Sequence, residues 1–147
     1  MNFGVIPQSF SPALLSVLRI VVGLAFLEHG TGKLLNFPVL PGIHQILPPA
    51  MLYFTGTVEL VGGLLIVVGA FTRLTAFVLA GFMAFAYFMA HFPRSFFPAL
   101  SGGEPALLYC FSFLYLAAAG AGPISVDALF GANAGARASA SRNAAAV

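Results

Sequence analysis

AMLYFTGTVELVGGLLIVVGAF, residues 50–71, carries a single charge, at Glu59, and is apolar nearly all round instead of along one stripe. A helix of about 20 mainly apolar residues crosses a hydrocarbon core about 30 Å thick. A helix on a soluble protein keeps one polar face, whereas contact with lipid requires apolar side chains on every side. The run is entered after Pro48-Pro49 and closes at Thr72-Arg73, a tight turn leading to the next apolar run. Working outward, three other stretches have the same character: 13–35, entered through Ser11-Pro12 and the most polar of the four; 74–92; and 105–122, which follows Ser101-Gly102-Gly103-Glu104 and stops at Pro123. The expected fold is all-α, an integral membrane four-helix bundle with spans at about 13–35, 50–71, 74–92 and 105–122. No segment alternates with period two, which excludes a β-barrel.

Composition agrees. The chain is 60% hydrophobic and 7% charged with a mean hydropathy of +0.99, against roughly 25% charged residues in an ordinary soluble domain. Ten charged side chains could not cover the surface of a soluble chain of this length. The net charge of +2 does not point to nucleic acid, because Arg19, Lys33, Arg73, Arg94, Arg137 and Arg142 are scattered instead of clustered on one face. A lone Cys110 rules out an intrachain disulfide or a CxxC pair. The N-terminus lacks a basic n-region and its apolar stretch is too long for a signal peptide, so the first span is expected to be retained. Residues 1–131 are expected to form a single transmembrane domain. The tail ANAGARASASRNAAAV, 132–147, lacks apolar periodicity and is expected to be disordered.

Orientation follows from the basic residues near the span ends. Arg19, Arg73, Arg137 and Arg142 fall on one side and Lys33 and Arg94 on the other, which puts both termini in the cytoplasm. The Pro- and Phe-rich connectors NFPVLPGIHQILPP and FPRSFFPALSGG then face outward and lie in the membrane interface.

Ionisable groups within a span cost several kcal/mol unless paired or hydrated, so each is a functional candidate. At a rise of 1.5 Å per residue, Glu28 and His29 sit roughly 10 Å below the outer end of the first span and Glu59 about 14 Å down the second. Lys33 lies near the mouth, Tyr87 and His91 close the third span, and Glu104 and Tyr109 open the fourth. Topology thus gathers Glu28, His29, Lys33, Glu59, Tyr87 and His91 in the outer half of the bundle as candidate ligand-binding residues. His29 and Lys33 share a helix face, and Glu59 shares one with Gly62, Gly63 and Ile66, a small-residue stripe that points inward. Arg19 and Arg73 are expected to snorkel to lipid phosphate. Lys33 could do the same or line a pocket, and Glu28 and Glu59 could be structural carboxylates bonded to a basic partner. His91 suits an interfacial position as well as a site, and Cys110 suits packing. His29, Glu59 and His91 would make a two-His, one-carboxylate set, but no HxxxH or ExxH spacing supports it, so no metal is expected. Without a phosphate loop, a GxSxG elbow or a CxxCH, no catalytic residue can be named.

LRIVVGLAFLEHGTGKL (Leu18 to Leu34) followed by VELVGGLLIVVGAFTRLTA (Val58 to Ala76) resembles the DoxX family of bacterial membrane proteins. The likeness rests on Arg19, Gly23, Gly30 and Lys33, then Glu59, Gly62, Gly63, Gly69 and Arg73, then His91, and it covers nearly the whole chain. It implies four spans in the bacterial cytoplasmic (inner) membrane. It also implies association with redox chemistry, since the family includes a small subunit of a thiosulfate:quinone oxidoreductase and proteins linked to quinone and thiol stress. Relatives with thiol chemistry are matched poorly, because a lone cysteine cannot cycle a disulfide.

Three functions follow as expectations. The first is a membrane subunit of a quinone- or thiol-linked redox complex, not catalytic alone, whose outer polar pocket takes a quinone-like lipophilic ligand and whose electrons come from a partner protein. It has no intrinsic cofactor; quinone is the candidate. The second is a non-enzymatic interaction or scaffold protein, and the third a small proton-coupled transporter. A homo-oligomer is compatible with each.

Overall fold

The computed structural model describes residues 6–131. Residues 1–5 and the expected disordered tail, 132–147, lie outside the described residues. Among the described residues every regular element is helical. After a 3-10 turn at Gln8–Phe10 come α1 (Ser11–Leu35), α2 (Pro49–Val68), α3 (Thr72–Ala86, continuing through a π-turn at Tyr87–His91) and α4 (Glu104–Ala119). Short helical turns at Ile43–Ile46 and Pro98–Ser101 interrupt the two connectors.

The helix starts follow the sequence: a proline occupies the first or second position of α1, α2 and α4, where its missing N–H costs nothing. The ends differ from expectation where glycine intervenes. Gly69, at φ +71°, ends α2 at Val68 and closes it through N–H bonds to the carbonyls of Leu65 and Ile66. The turn therefore falls at 69–71, and Thr72 and Arg73 open α3 instead of forming the turn. Gly120, at φ +91°, ends α4 short of the expected 122.

Three helical stretches, Gln8–Leu35, Pro49–Val68 and Thr72–His91, are long and apolar enough to cross a membrane. α4 is equally apolar but has 16 residues, about 24 Å of helix. The bundle has a connector end, where both long connectors lie, and a terminal end, where α1 begins and α4 finishes.

α1 packs along α2, and α3 along α4; the two pairs meet through a core of Phe26, Ile66, Leu79, Phe113 and Leu116, all at most 2% exposed. Lipid tails are as apolar as leucine, so close packing holds such helices together more than water exclusion does. At Gly30 an added Cβ would lie 2.8 Å from the Leu60 Cα, and at Gly63 it would lie 2.9 Å from the Leu27 Cα. The α1 and α2 backbones are thus in contact at glycines supplied by each in turn. Large apolar side chains outside this core, among them Val61, Leu64, Phe77, Phe85 and Phe111, are exposed, as a lipid-facing surface requires.

Candidate functional site

The glycine contacts between α1 and α2 bring one charged pair together. Lys33 Nζ donates to Glu59 Oε1 at 2.7 Å and to Thr55 Oγ1 at 3.2 Å, and the Lys33 and Glu59 side chains are 10% and 8% exposed. Lys33 therefore lines the interior and does not snorkel. Gly56 makes room for it, because a Cβ there would meet Leu34 and the Lys33 Cβ. Glu59 Oε2 is buried and has no hydrogen-bond partner among the described residues. Burying a carboxylate is tolerable when a cation and further donors compensate it. Here one oxygen is compensated and the other is not.

His29 projects from the same helix toward α4, its ring meeting Tyr109 edge-on with centroids 5.9 Å apart. Tyr109 in turn stacks on Phe113 and meets the edge of Phe26. Side chains from α1, α2 and α4 thus gather at one depth in the connector half.

The gathering is less complete than the topology suggested. Glu28 is exposed on the outside of α1, and Glu104 is exposed at the start of α4. Tyr87 and His91 form a separate group at the end of α3, with ring centroids 6.4 Å apart and planes 23° from parallel. Among the described residues no three His, Cys, Asp or Glu side chains lie together as a metal-binding group, so His29, Glu59 and His91 do not form one. An open cleft of about 500 Å³ lies at the terminal end beside Arg73, Ser125 and Asp127. An apolar groove of about 400 Å³ runs between α2 and α3 beside Val58, Val61, Leu65 and Val78. Neither is lined by Glu59, His29 or His91.

Two further polar residues matter at the terminal end, and the sequence reading misplaced one and passed over the other. Arg19 does not snorkel: it is fully buried. Its guanidinium donates to the carbonyls of Ile66 and Val67 at the end of α2 and of Ala121 and Ile124 beyond α4. The two α2 carbonyls lie at its negative pole, where the Val67 carbonyl would otherwise lack a partner and the Ile66 carbonyl has only the Gly69 N–H. Arg73 does the same for the α4 carbonyls of Ala117, Ala118 and Ala119 while staying exposed. Asp127 accepts from the backbone N–H groups of Phe71 and Thr72 at 2.8 Å each, capping α3. Burial pulls the Asp127 carboxyl upward, but the Thr72 and Phe71 hydrogen bonds and the Arg19 charge outweigh it and hold its pKa below the usual carboxylate value. With Ser16 Oγ accepting from the Ile124 N–H, these bonds strap residues 120–131 across the terminal end. One signal was available: Asp127 is the lone acidic residue in the sequence outside the connector half, beside helix ends marked by Gly69 and Gly120.

The family model described as DoxX matches residues 14–92, which spans α1, α2 and α3 through the π-turn. An uncharacterized protein of Haemophilus influenzae is 42% identical over 127 residues, covering 84% of this chain and 95% of its own length. No solved structure matches.

Proposed function

The chain belongs to the DoxX family of membrane proteins, and from that premise we propose that it is the membrane subunit of a redox complex in which Glu59 exchanges protons with a quinone-like lipophilic ligand. The observation that carries this reading is the unpartnered Oε2 of a carboxylate whose side chain is 8% exposed inside a bilayer-sized bundle. A carboxylate kept only to hold two helices together would have both oxygens satisfied, because the cost of leaving one bare is high in a low-dielectric interior. The bare oxygen fits a hydroxyl donor.

A quinone, when bound, couples electron transfer to uptake and release of protons at its ring oxygens. The protein's part is local. Glu59 Oε2 takes or holds a proton, Lys33 keeps the ionised form tolerable, and His29 beside Tyr109 offers a second titratable group toward exposed Glu28. No haem, flavin or cluster motif occurs in the sequence, so electrons come from a partner protein. The complex sits in the bacterial cytoplasmic membrane with both termini on the cytoplasmic side, as the basic residues favour.

Docking of a partner without redox chemistry is a second reading, favoured by the exposed side chains of Phe92, Phe96, Phe97 and Leu100 on the second connector. Glu59→Gln separates the two. Membranes carrying this variant are expected to hold normal amounts of protein and partner yet lose quinone-linked electron flow. Full electron flow in the variant overturns the proton-exchange reading, and loss of the co-purifying partner instead supports docking.

A further inference from the structure

At the connector end the α-helical hydrogen bonding of α3 gives way to a π-turn, in which the Phe92 N–H bonds to the Tyr87 carbonyl at 2.9 Å. Such turns are frequent at functional sites. This one sets Tyr87 and His91 almost parallel on the same side, and the second connector then fixes both. His91 Nδ1 lies 3.1 Å from the Ser101 carbonyl oxygen. Gly103 presses against the pair so closely that a Cβ would come within 2.7 Å of the Tyr87 ring and 2.9 Å of the His91 Cβ. Ser101 is itself buried and held by its hydroxyl's bond to the Pro98 carbonyl.

A carbonyl oxygen can only accept. Nδ1 therefore carries the proton, and in the neutral ring Nε2 is left as a bare acceptor. Among the described residues neither His91 Nε2 nor the Tyr87 hydroxyl has a hydrogen-bond partner. The result is one acceptor and one donor on neighbouring, nearly parallel rings, with the imidazole's orientation fixed from behind, at the connector end of the bundle. An acceptor favours a ligand hydroxyl over a ligand carbonyl.

We infer that Tyr87 and His91 form a binding station for the hydroxyl of a phenolic, hydroquinone-type amphiphile, with His91 Nε2 accepting from that hydroxyl and Tyr87 donating to its oxygen. The inference rests on the proposed redox reading and deepens it, since it assigns the station to the reduced form of the ligand. An oxidised quinone offers no proton to Nε2 and is bound less well.

The test uses the full-length chain in lipid nanodiscs, titrated anaerobically with a decyl-tailed hydroquinone and separately with its oxidised quinone. The hydroquinone is expected to bind about tenfold tighter, the factor one hydrogen bond carries. His91→Phe is expected to abolish that preference, and Tyr87→Phe to weaken both forms. In the unmodified protein, nitrogen NMR of His91 is expected to show a protonated Nδ1 and a bare Nε2 whose resonance moves on adding hydroquinone, a readout that does not depend on any variant folding. Equal binding of the two forms, a preference that survives His91→Phe, or an Nε2 resonance that does not respond overturns the inference and leaves the redox reading standing. If neither form binds, both fall.

Discussion

Replacing Lys33 and Glu59 singly and together distinguishes a pair that merely joins two helices from one that also works. The two side chains are 10% and 8% exposed and meet at 2.7 Å, with Thr55 the other partner of the ammonium. Lys33→Met leaves Glu59 with neither oxygen bonded, and Glu59→Leu leaves the ammonium with one hydroxyl. Breaking a buried pair from either side costs about 3–5 kcal/mol, whereas replacing both partners by apolar side chains is near neutral. The single losses therefore sum to about 6–10 kcal/mol, while the double variant is expected within about 1–2 kcal/mol of the parent. Unfolding in mixed micelles, titrated with a denaturing detergent, measures all four corners of the cycle. A double variant as unstable as the sum of the singles would refute the pairing. The same double variant, stable and inserted, is expected to have lost quinone-linked electron flow, and full flow would reduce the pair to a structural clamp.

Gly30→Ala forces a methyl into the α2 backbone and is expected to cost about 3 kcal/mol in the same assay, whereas Gly81→Ala, with nothing within 4 Å, is expected to be neutral or slightly stabilising; equal losses would contradict the close approach of α1 and α2. Arg19→Leu strands the carbonyls of Val67, Ala121 and Ile124, while that of Ile66 keeps the Gly69 N–H, and is expected to cost at least about 3 kcal/mol, to expose residues 120–131 to protease, and to do more harm than Arg73→Leu, whose side chain is exposed. Asp127 has its pKa lowered in the folded protein, so its contribution is complete above the unfolded value of about 3.9 and is lost as pH falls through the lower folded value. The stability gap between the parent and Asp127→Asn is therefore expected to stay constant near neutral pH and to close in acid below about pH 4, and a gap that persists there would remove the carboxylate from the cap.

The helices were legible because hydropathy and length suffice to mark a span, and Pro12, Pro49 and Pro105 mark where α1, α2 and α4 begin. Their ends were less so: Gly69 and Gly120 stop their helices through left-handed or extended backbone, and hydropathy does not register conformation. The pairing of Lys33 with Glu59 was half visible, since the small-residue stripe turned Glu59 inward but nothing in the spacing supplied Lys33 as its partner. Glu28 and Glu59 look alike in a depth estimate, yet one is exposed and the other buried. Rise along a helix gives height and not azimuth. Arg19 shows the same gap more sharply, because a cation satisfied by backbone carbonyls has no signature in side-chain identity.

Those carbonyls have a consequence for how the protein is made. Arg19 leaves the ribosome well ahead of two of its acceptors, since Ala121 and Ile124 stand 102 and 105 residues further on. The carbonyls of Ile66 and Val67 arrive with α2, but half of the acceptors of this guanidinium are missing until residues 120–131 have been made. A chain interrupted before residue 121 would hold that guanidinium between helices with only its α2 acceptors in place, a mark for quality-control proteases.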